Sequence, residues 1–103
     1  MDVNLRKEAR GRECQIRIPG VCNGNSDTVV LCHLNNKLLF SAGTGLKVPD
    51  MFGAWGCSDC HKVVDSEGQY HDGNRWIGYQ EVRLMFYEGV FRTQNILRKE
   101  GKL

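Results

Sequence analysis

No stretch of this chain approaches the roughly 18 consecutive apolar residues that a membrane-spanning helix needs. The opening residues, Met1-Asp2-Val3-Asn4-Leu5-Arg6-Lys7-Glu8, hold no apolar core of signal-peptide length. The expectation is a soluble, cytoplasmic protein with no membrane partner. Internal repeats, low-complexity tracts and linkers are also missing, so residues 1–103 read as a single domain. A net charge of only +2 does not by itself establish a polyanion partner. What the chain does have is ordinary globular composition, 41% hydrophobic and 25% charged, together with five cysteines. A domain this small buries only roughly 60–65% of the surface its unfolded chain exposes, so a structural metal would help it fold. An odd number of cysteines in a reducing compartment points to metal ligands or free thiols rather than a disulfide framework.

The local patterns alternate between helix and strand. Residues 3–13 have Leu5 and Ala9 at helical spacing among charged residues, and Gly11 marks a stop. Cys14-Gln15-Ile16-Arg17-Ile18 alternates with period two and reads as a short strand, followed by a turn from Pro19 to Asn25 that carries Cys22. Thr28 to Leu34 is the strongest strand candidate, rich in β-branched residues. Residues 35–50 read as a long loop, and Phe52 to Gly56 as a returning strand. Cys60 to Asp65 opens a short helix that ends near Ser66-Glu67-Gly68. Asn74 is the expected N-cap of a final helix over about 75–99, in which Tyr79, Val82, Phe86, Val90 and Phe91 follow a helical period.

The most informative motif is Cys57-Ser58-Asp59-Cys60-His61, taken with Cys14 and Cys22. A C-x-x-C turn presents two sulfurs to a tetrahedral ion, and a second pair can complete a four-thiolate zinc site. The gap between Cys14 and Cys22 exceeds the usual spacing of about two to four residues, so that half of the signal is weaker, and the lesser alternative is that these two are small buried side chains. C-x-x-C-H is also the attachment pattern of c-type haem, against which stand the missing export signal and the extra cysteine pair. His61 starts the helix that the cysteine turn opens, and Asp65 lies one turn later on the same face, where the two can grip one divalent cation. His33 follows Cys32 at the end of the β-rich run; on its own, a histidine there reads more readily as structural than as catalytic. His71 has no such partner in sequence. Arg6, Lys7, Arg10 and Arg12 crowd the first segment and suit phosphate contacts.

The order of cysteine pair, strand ending in histidine, glycine-containing loop, strand and C-x-x-C-H on a helix resembles the HNH endonuclease family. More closely, Leu5 to Gln15 and Ile18 to Asn25, with the later Cys-x-x-Cys-His, resemble the YbcO-like "putative nucleases" of lambdoid prophages. The resemblance implies an α+β fold: a small zinc-stapled ββα-metal (HNH-like) domain, with a core over about 12–66 and a C-terminal helix. It also implies a metal-dependent endonuclease that hydrolyses DNA phosphodiester bonds in a bacterial host, phage or prophage encoded. In that family the first histidine, here His33, is the general base, and the last, here His61, binds the catalytic cation. The middle asparagine has no clear counterpart; Asp50 stands nearest. Where many members have a metal ligand before the base, this chain has Cys32.

On this reading zinc on Cys14, Cys22, Cys57 and Cys60 is structural, and Mg²⁺, Mn²⁺ or a second zinc sits on His61 and Asp65. DNA is the partner, through its phosphates, with a recombination protein as a possible second one. The rival from another class is a non-enzymatic zinc-knuckle module that binds nucleic acid or a phage or host protein. It explains the cysteines and the basic ends but leaves His33, His61 and Asp65 as coincidence.

Overall fold

The computed structural model describes residues 3–34, 48–66 and 69–103. Most of the long loop expected over 35–50, and the helix stop at Glu67-Gly68, lie outside the described residues. Along the chain come α1 (Leu5–Glu8), a 3-10 turn at Ser26–Thr28, β1 (Val30–Cys32), a second 3-10 turn at Asp50–Phe52, β2 (Ala54–Gly56), α2 (Ser58–Ser66), β3 (Tyr70–His71), β4 (Trp76–Ile77) and α3 (Tyr79–Lys99). The architecture is α+β.

Helix α1 is a single turn. Asn4 caps it by accepting from the Lys7 N–H, and Gly11, in the left-handed region at φ 73°, turns the chain away. Fully buried Ala9 fastens this turn to the core. The segment after it does not form the expected strand. Cys14, Gln15 and Ile16 are buried in succession, and Arg17 takes φ 54°, which breaks any ladder after one rung. Gln15 N–H donates to the Trp55 carbonyl at 2.7 Å, and the Arg92 guanidinium donates to the Gln15 carbonyl at 2.8 Å. Its backbone polar groups are thus shared between a strand and a helix.

Strands β1 and β2 pair antiparallel with Val30 opposite Gly56, Leu31 opposite Trp55 and Cys32 opposite Ala54. Their pairing leaves residues 33 and 50 at one end of the ribbon and Cys57 at the other. All of β2 is buried, because α3 lies across it: Val82, Phe86, Val90, Thr93 and Leu97 form the buried stripe of that helix. Removing a side chain such as Phe86 from water stabilises the fold by about 1.5–3 kcal/mol. Thr93 Oγ1 accepts from the Trp55 N–H at 3.1 Å. Gly89 lets the backbone of residues 15–16 come close, since a Cβ there would lie 3.1 Å from the Gln15 carbonyl oxygen.

Helix α3 begins later than its periodicity suggests, at Tyr79 with Gly78 as N-cap. Asn74 is not free to cap it. Asp72 Oδ1 accepts from both the Asn74 and Arg75 N–H groups, closing a tight turn that returns Trp76-Ile77 against Tyr70-His71 as the β3–β4 hairpin. Side-chain capping in the turn therefore competes with helix initiation and wins.

The two ends of the chain are tied by charge. Arg12 donates to both oxygens of Glu100, at 2.6 and 2.7 Å, and to Glu8 at 3.3 Å; Lys102 bridges Glu8 and Glu100 at 2.6 and 3.1 Å. The Arg12 guanidinium also lies 4.6 Å from the Trp55 ring centroid. The bonds from Arg12 and then Lys102 hold the Glu100 carboxyl at about 2, below its ordinary 4.5. A depressed carboxyl adds stability above its unfolded pKa and loses it as pH falls through the folded one. Glu100→Gln should therefore melt lower than wild type at pH 6, with the difference closing between about pH 4.5 and 2 in a thermal melt series. Gly20, at φ 75°, would carry a Cβ only 2.8 Å from the Asp72 carbonyl oxygen. Gly20→Ala should accordingly cost about 2 kcal/mol or more, read as a fall in denaturation midpoint; an unchanged midpoint would remove this contact from the account.

Candidate metal centre and active site

Separate pieces of chain deliver the four cysteines to one point. Cys14 follows α1, and Cys22 ends a turn in which the Val21 and Cys22 N–H groups both donate to the Ile18 carbonyl. Cys57 follows β2, and Cys60 lies in the first turn of α2. Their sulfurs all fall within 4.8 Å of one another, with Cys22 and Cys57 Sγ at 3.9 Å. A tetrahedron with Zn–S bonds of about 2.3 Å has sulfur–sulfur edges of about 3.8 Å. The donor set fits: these residues could hold a metal ion such as zinc. As thiols they are in conflict. A hydrogen bond from Cys60 holds Cys14 down at about 4, while the bond to Cys14 together with burial pushes Cys60 up, and burial raises Cys22. A shared soft cation relieves that competition for protons.

Neighbouring groups fix the turn to the helix. Asn23 Nδ2 donates to Ser58 Oγ at 3.1 Å and Asp59 Oδ2 at 3.0 Å, and Thr28 Oγ1 accepts from the Ser58 N–H at 3.2 Å. Cys32 stays outside the cluster. Its fully buried thiol points at the Val30 and Gly56 carbonyls, and burial pushes it up to about 12. It is a packed thiol with little nucleophilic character.

At the far end of the β-ribbon His33 meets Asp50. His33 Nε2 lies 2.8 Å from Asp50 Oδ1, and the Arg6 guanidinium approaches the same carboxylate at 3.4 Å. Partial burial works to raise the Asp50 carboxyl, but the His33 hydrogen bond and the Arg6 charge outweigh it, and the group is held below the usual range. An ionised carboxylate only accepts, so Nε2 carries a proton in this bond, and in the neutral imidazole Nδ1 is then the lone-pair nitrogen. His33 opens on a cleft of about 300 Å³ lined also by Arg6, Arg10, Val29, Val30 and Leu31. Arg6 and Asp50 border a second cleft of about 570 Å³. Sequence reasoning reached Asp50 only as the residue nearest a missing asparagine. Its partner was invisible because the contact spans seventeen positions, from residue 33 to residue 50.

His61 and Asp65 do share a face of α2, with Nε2 and Oδ2 3.0 Å apart. Among the described residues the four cysteines are the one group of three or more potential ligands close enough for a single ion. The His61–Asp65 pair would therefore leave most of a cation's coordination to water and phosphate oxygens. Helix α2 runs back along the ribbon, so that Asp65 acts electrostatically on Cys32, the residue before His33. Of the basic residues, Arg6 and Arg10 line the His33 cleft and Lys7 is exposed, whereas Arg12 is engaged by Glu8, Glu100 and Trp55. His71 lies elsewhere, on the β3–β4 hairpin against Trp76.

The family described as "Putative nuclease YbcO" matches residues 3–102. The chain belongs to the YbcO family. It is 48% identical to "Putative nuclease YbcO" of Escherichia coli (strain K12) over 98 residues, covering 95% of this chain and 94% of that protein. The protein of the same description from Enterobacteria phage 82 matches to the same extent. A solved structure, "Structure of a putative bacteriophage protein from Escherichia coli str. K-12 substr. MG1655", superposes with a TM-score of 0.74 at 40% identity, covering 95% of this chain and all of that one.

The cysteine geometry of this YbcO family member makes a direct prediction. The purified protein should contain about one zinc per chain, and a chelator that strips it should unfold the domain. Cys57→Ala should lower zinc content and stability, whereas Cys32→Ala should leave zinc unchanged in elemental analysis. Equal zinc loss in both variants would mean that the ligand set is wrong.

Proposed function

We propose that this protein is a metal-dependent endonuclease of the HNH type, with a ββα-metal core formed by β1, β2 and α2, that hydrolyses DNA phosphodiester bonds. The observation that carries the reading is the His33–Asp50 pair at 2.8 Å, opening on a cleft with two arginines. The family's description as a nuclease supports it, and the relative in a phage supports a role in phage or prophage DNA processing or recombination. A recombination protein would then be a natural partner.

In this mechanism Asp50 holds the proton on His33 Nε2, and His33 Nδ1 removes a proton from the attacking water. Asp50 also stabilises the imidazolium that results. Arg6, Lys7 and Arg10 hold backbone phosphates without reading bases. His61 and Asp65 would hold a divalent cation, Mg²⁺, Mn²⁺ or a second zinc, whose chemistry when bound is to neutralise charge on the phosphate and the leaving oxygen. The cysteine cluster, loaded with structural zinc, fixes α2 against the ribbon and takes no part in proton transfer. A module that only binds nucleic acid has no use for a carboxylate-oriented histidine at the mouth of a basic cleft.

The two histidines should separate by role. His33→Ala should keep the fold, zinc and DNA affinity yet lower cleavage by about 10²–10⁴-fold, and added metal should not restore it. Asp50→Asn should lose a smaller factor, about 10–100-fold, because the base remains but loses its orienting charge. His61→Ala should lose activity that returns as Mg²⁺ or Mn²⁺ is raised. The measurement is cleavage rate against metal concentration; full activity in His33→Ala would remove His33 as the base, whereas no cleavage by the wild type at any metal concentration would leave the binding module as the better description.

A further inference from the structure

Trp76 has no structural reason to be where it is. Its side chain is 66% exposed, whereas the other tryptophan, Trp55, is 1% exposed in the core. Period-two alternation in β4 turns Ile77 inward and Trp76 outward, and the register sets His71 opposite Trp76 on the same outer face. The two rings meet edge to face, with centroids 5.4 Å apart and planes at 86°. The hairpin beneath them is rigidly framed. Asp72 N–H donates to the Arg75 carbonyl, Asp72 Oδ1 accepts from residues 74 and 75, and the Gly73 N–H donates to His71 Nδ1 at 3.1 Å, which fixes that ring. Tyr70, on the inner face, reaches Met85 Sδ of α3 at 3.8 Å. The hairpin is also seated on the cysteine turn, where Gly20 lies against Asp72. Arg75, the residue before Trp76, is held by both oxygens of Glu81, at 3.0 and 2.8 Å, in a bidentate ion pair.

A large, flat, pre-oriented and exposed π-surface on a frame tied to the metal centre, with the adjacent charge neutralised, suits a ligand that stacks more than one that pairs charges. Within a duplex the faces of the bases are already stacked on one another. Only an unpaired base can lie on a protein aromatic ring. We propose that Trp76, braced by His71, is a stacking platform for an unpaired nucleobase, and that the substrate of this protein is DNA containing a single-stranded stretch rather than plain duplex. This rests on the nuclease reading for the partner being DNA, and it gives His71 a positioning role.

The test uses the full-length protein with its zinc and no added divalent cation, so that binding is read without cleavage. Intrinsic fluorescence is titrated with an oligothymidylate of about 15 nucleotides and with a duplex of the same length. Buried Trp55 supplies a constant background, and the signal change belongs to Trp76. The single strand should quench Trp76 and bind more tightly than the duplex. Trp76→Ala should abolish the quench and weaken single-strand binding about 10-fold while leaving duplex affinity within about twofold, and Trp76→Phe should keep most of the affinity. His71→Ala should weaken the single strand by less. Duplex binding with a silent Trp76, or unchanged single-strand affinity in Trp76→Ala, would overturn this proposal and leave the nuclease reading standing. If neither DNA is bound, both fall.

Discussion

Much else in this fold hangs on bringing four sulfurs, from two separate stretches of the sequence, within a few ångströms of each other. The cluster joins the irregular stretch from Cys14 to Cys22 to the exit of β2 and the start of α2. The sheet beside it is only a two-stranded ribbon of three residues per strand, a pairing that is marginal on its own in water. Much of the molecule then keys to that joint. Asn23 braces the head of α2, Gly20 seats the β3–β4 hairpin, and Ile16 packs by Gly56 and Gly89 under α3. Four thiols this close cannot all ionise without a cation among them, and a soft divalent ion would let all four become thiolates.

The antiparallel register of β1 and β2 turns this local joint into a layout for chemistry. Cysteine ligands gather at one end of the ribbon, and the His33–Asp50 pair occupies the other. Helix α2 spans the two, starting among the cysteines and carrying His61 and Asp65 back along the strands. The cysteine cluster and the His33–Asp50 pair are thereby held in fixed relation without sharing a residue. Asp50 itself is divided between Arg6 and His33, so the same carboxylate ties α1 to the ribbon and orients the His33 ring.

Charge is arranged with similar economy. The basic residues near the two termini look alike in sequence, yet they fall into two groups. Arg12 and Lys102 close a network with Glu8 and Glu100 that clamps α1 to the end of α3, while Arg6 and Arg10 line the cleft at His33. The first group serves stability at low dielectric cost, being only partly withdrawn from water; the second leaves cationic surface where a phosphate could lie.

Local chemistry carried a good part of this outcome. A C-x-x-C-H on a helix start, an i,i+4 His–Asp pair, two short strands in order and a long amphipathic helix are all set by spacings within a few residues, and they are legible because helix and strand periods are local properties. The four-cysteine set and the YbcO resemblance were likewise readable from residue type and order. Tertiary structure decided what local pattern could not. Cys14 to Ile18 alternates like a strand but is bent by Arg17 and shared between β2 and α3; Asn74 resembles a cap but loses to the Asp72 turn; Arg12 resembles a phosphate ligand but is taken by Glu100. The pairing of His33 with Asp50 belongs here as well, since it depends on a strand register that closes the ribbon across residues far apart in sequence. Sequence by itself determined which groups are available; only packing, through competition for each polar group's partners, decided which of them meet.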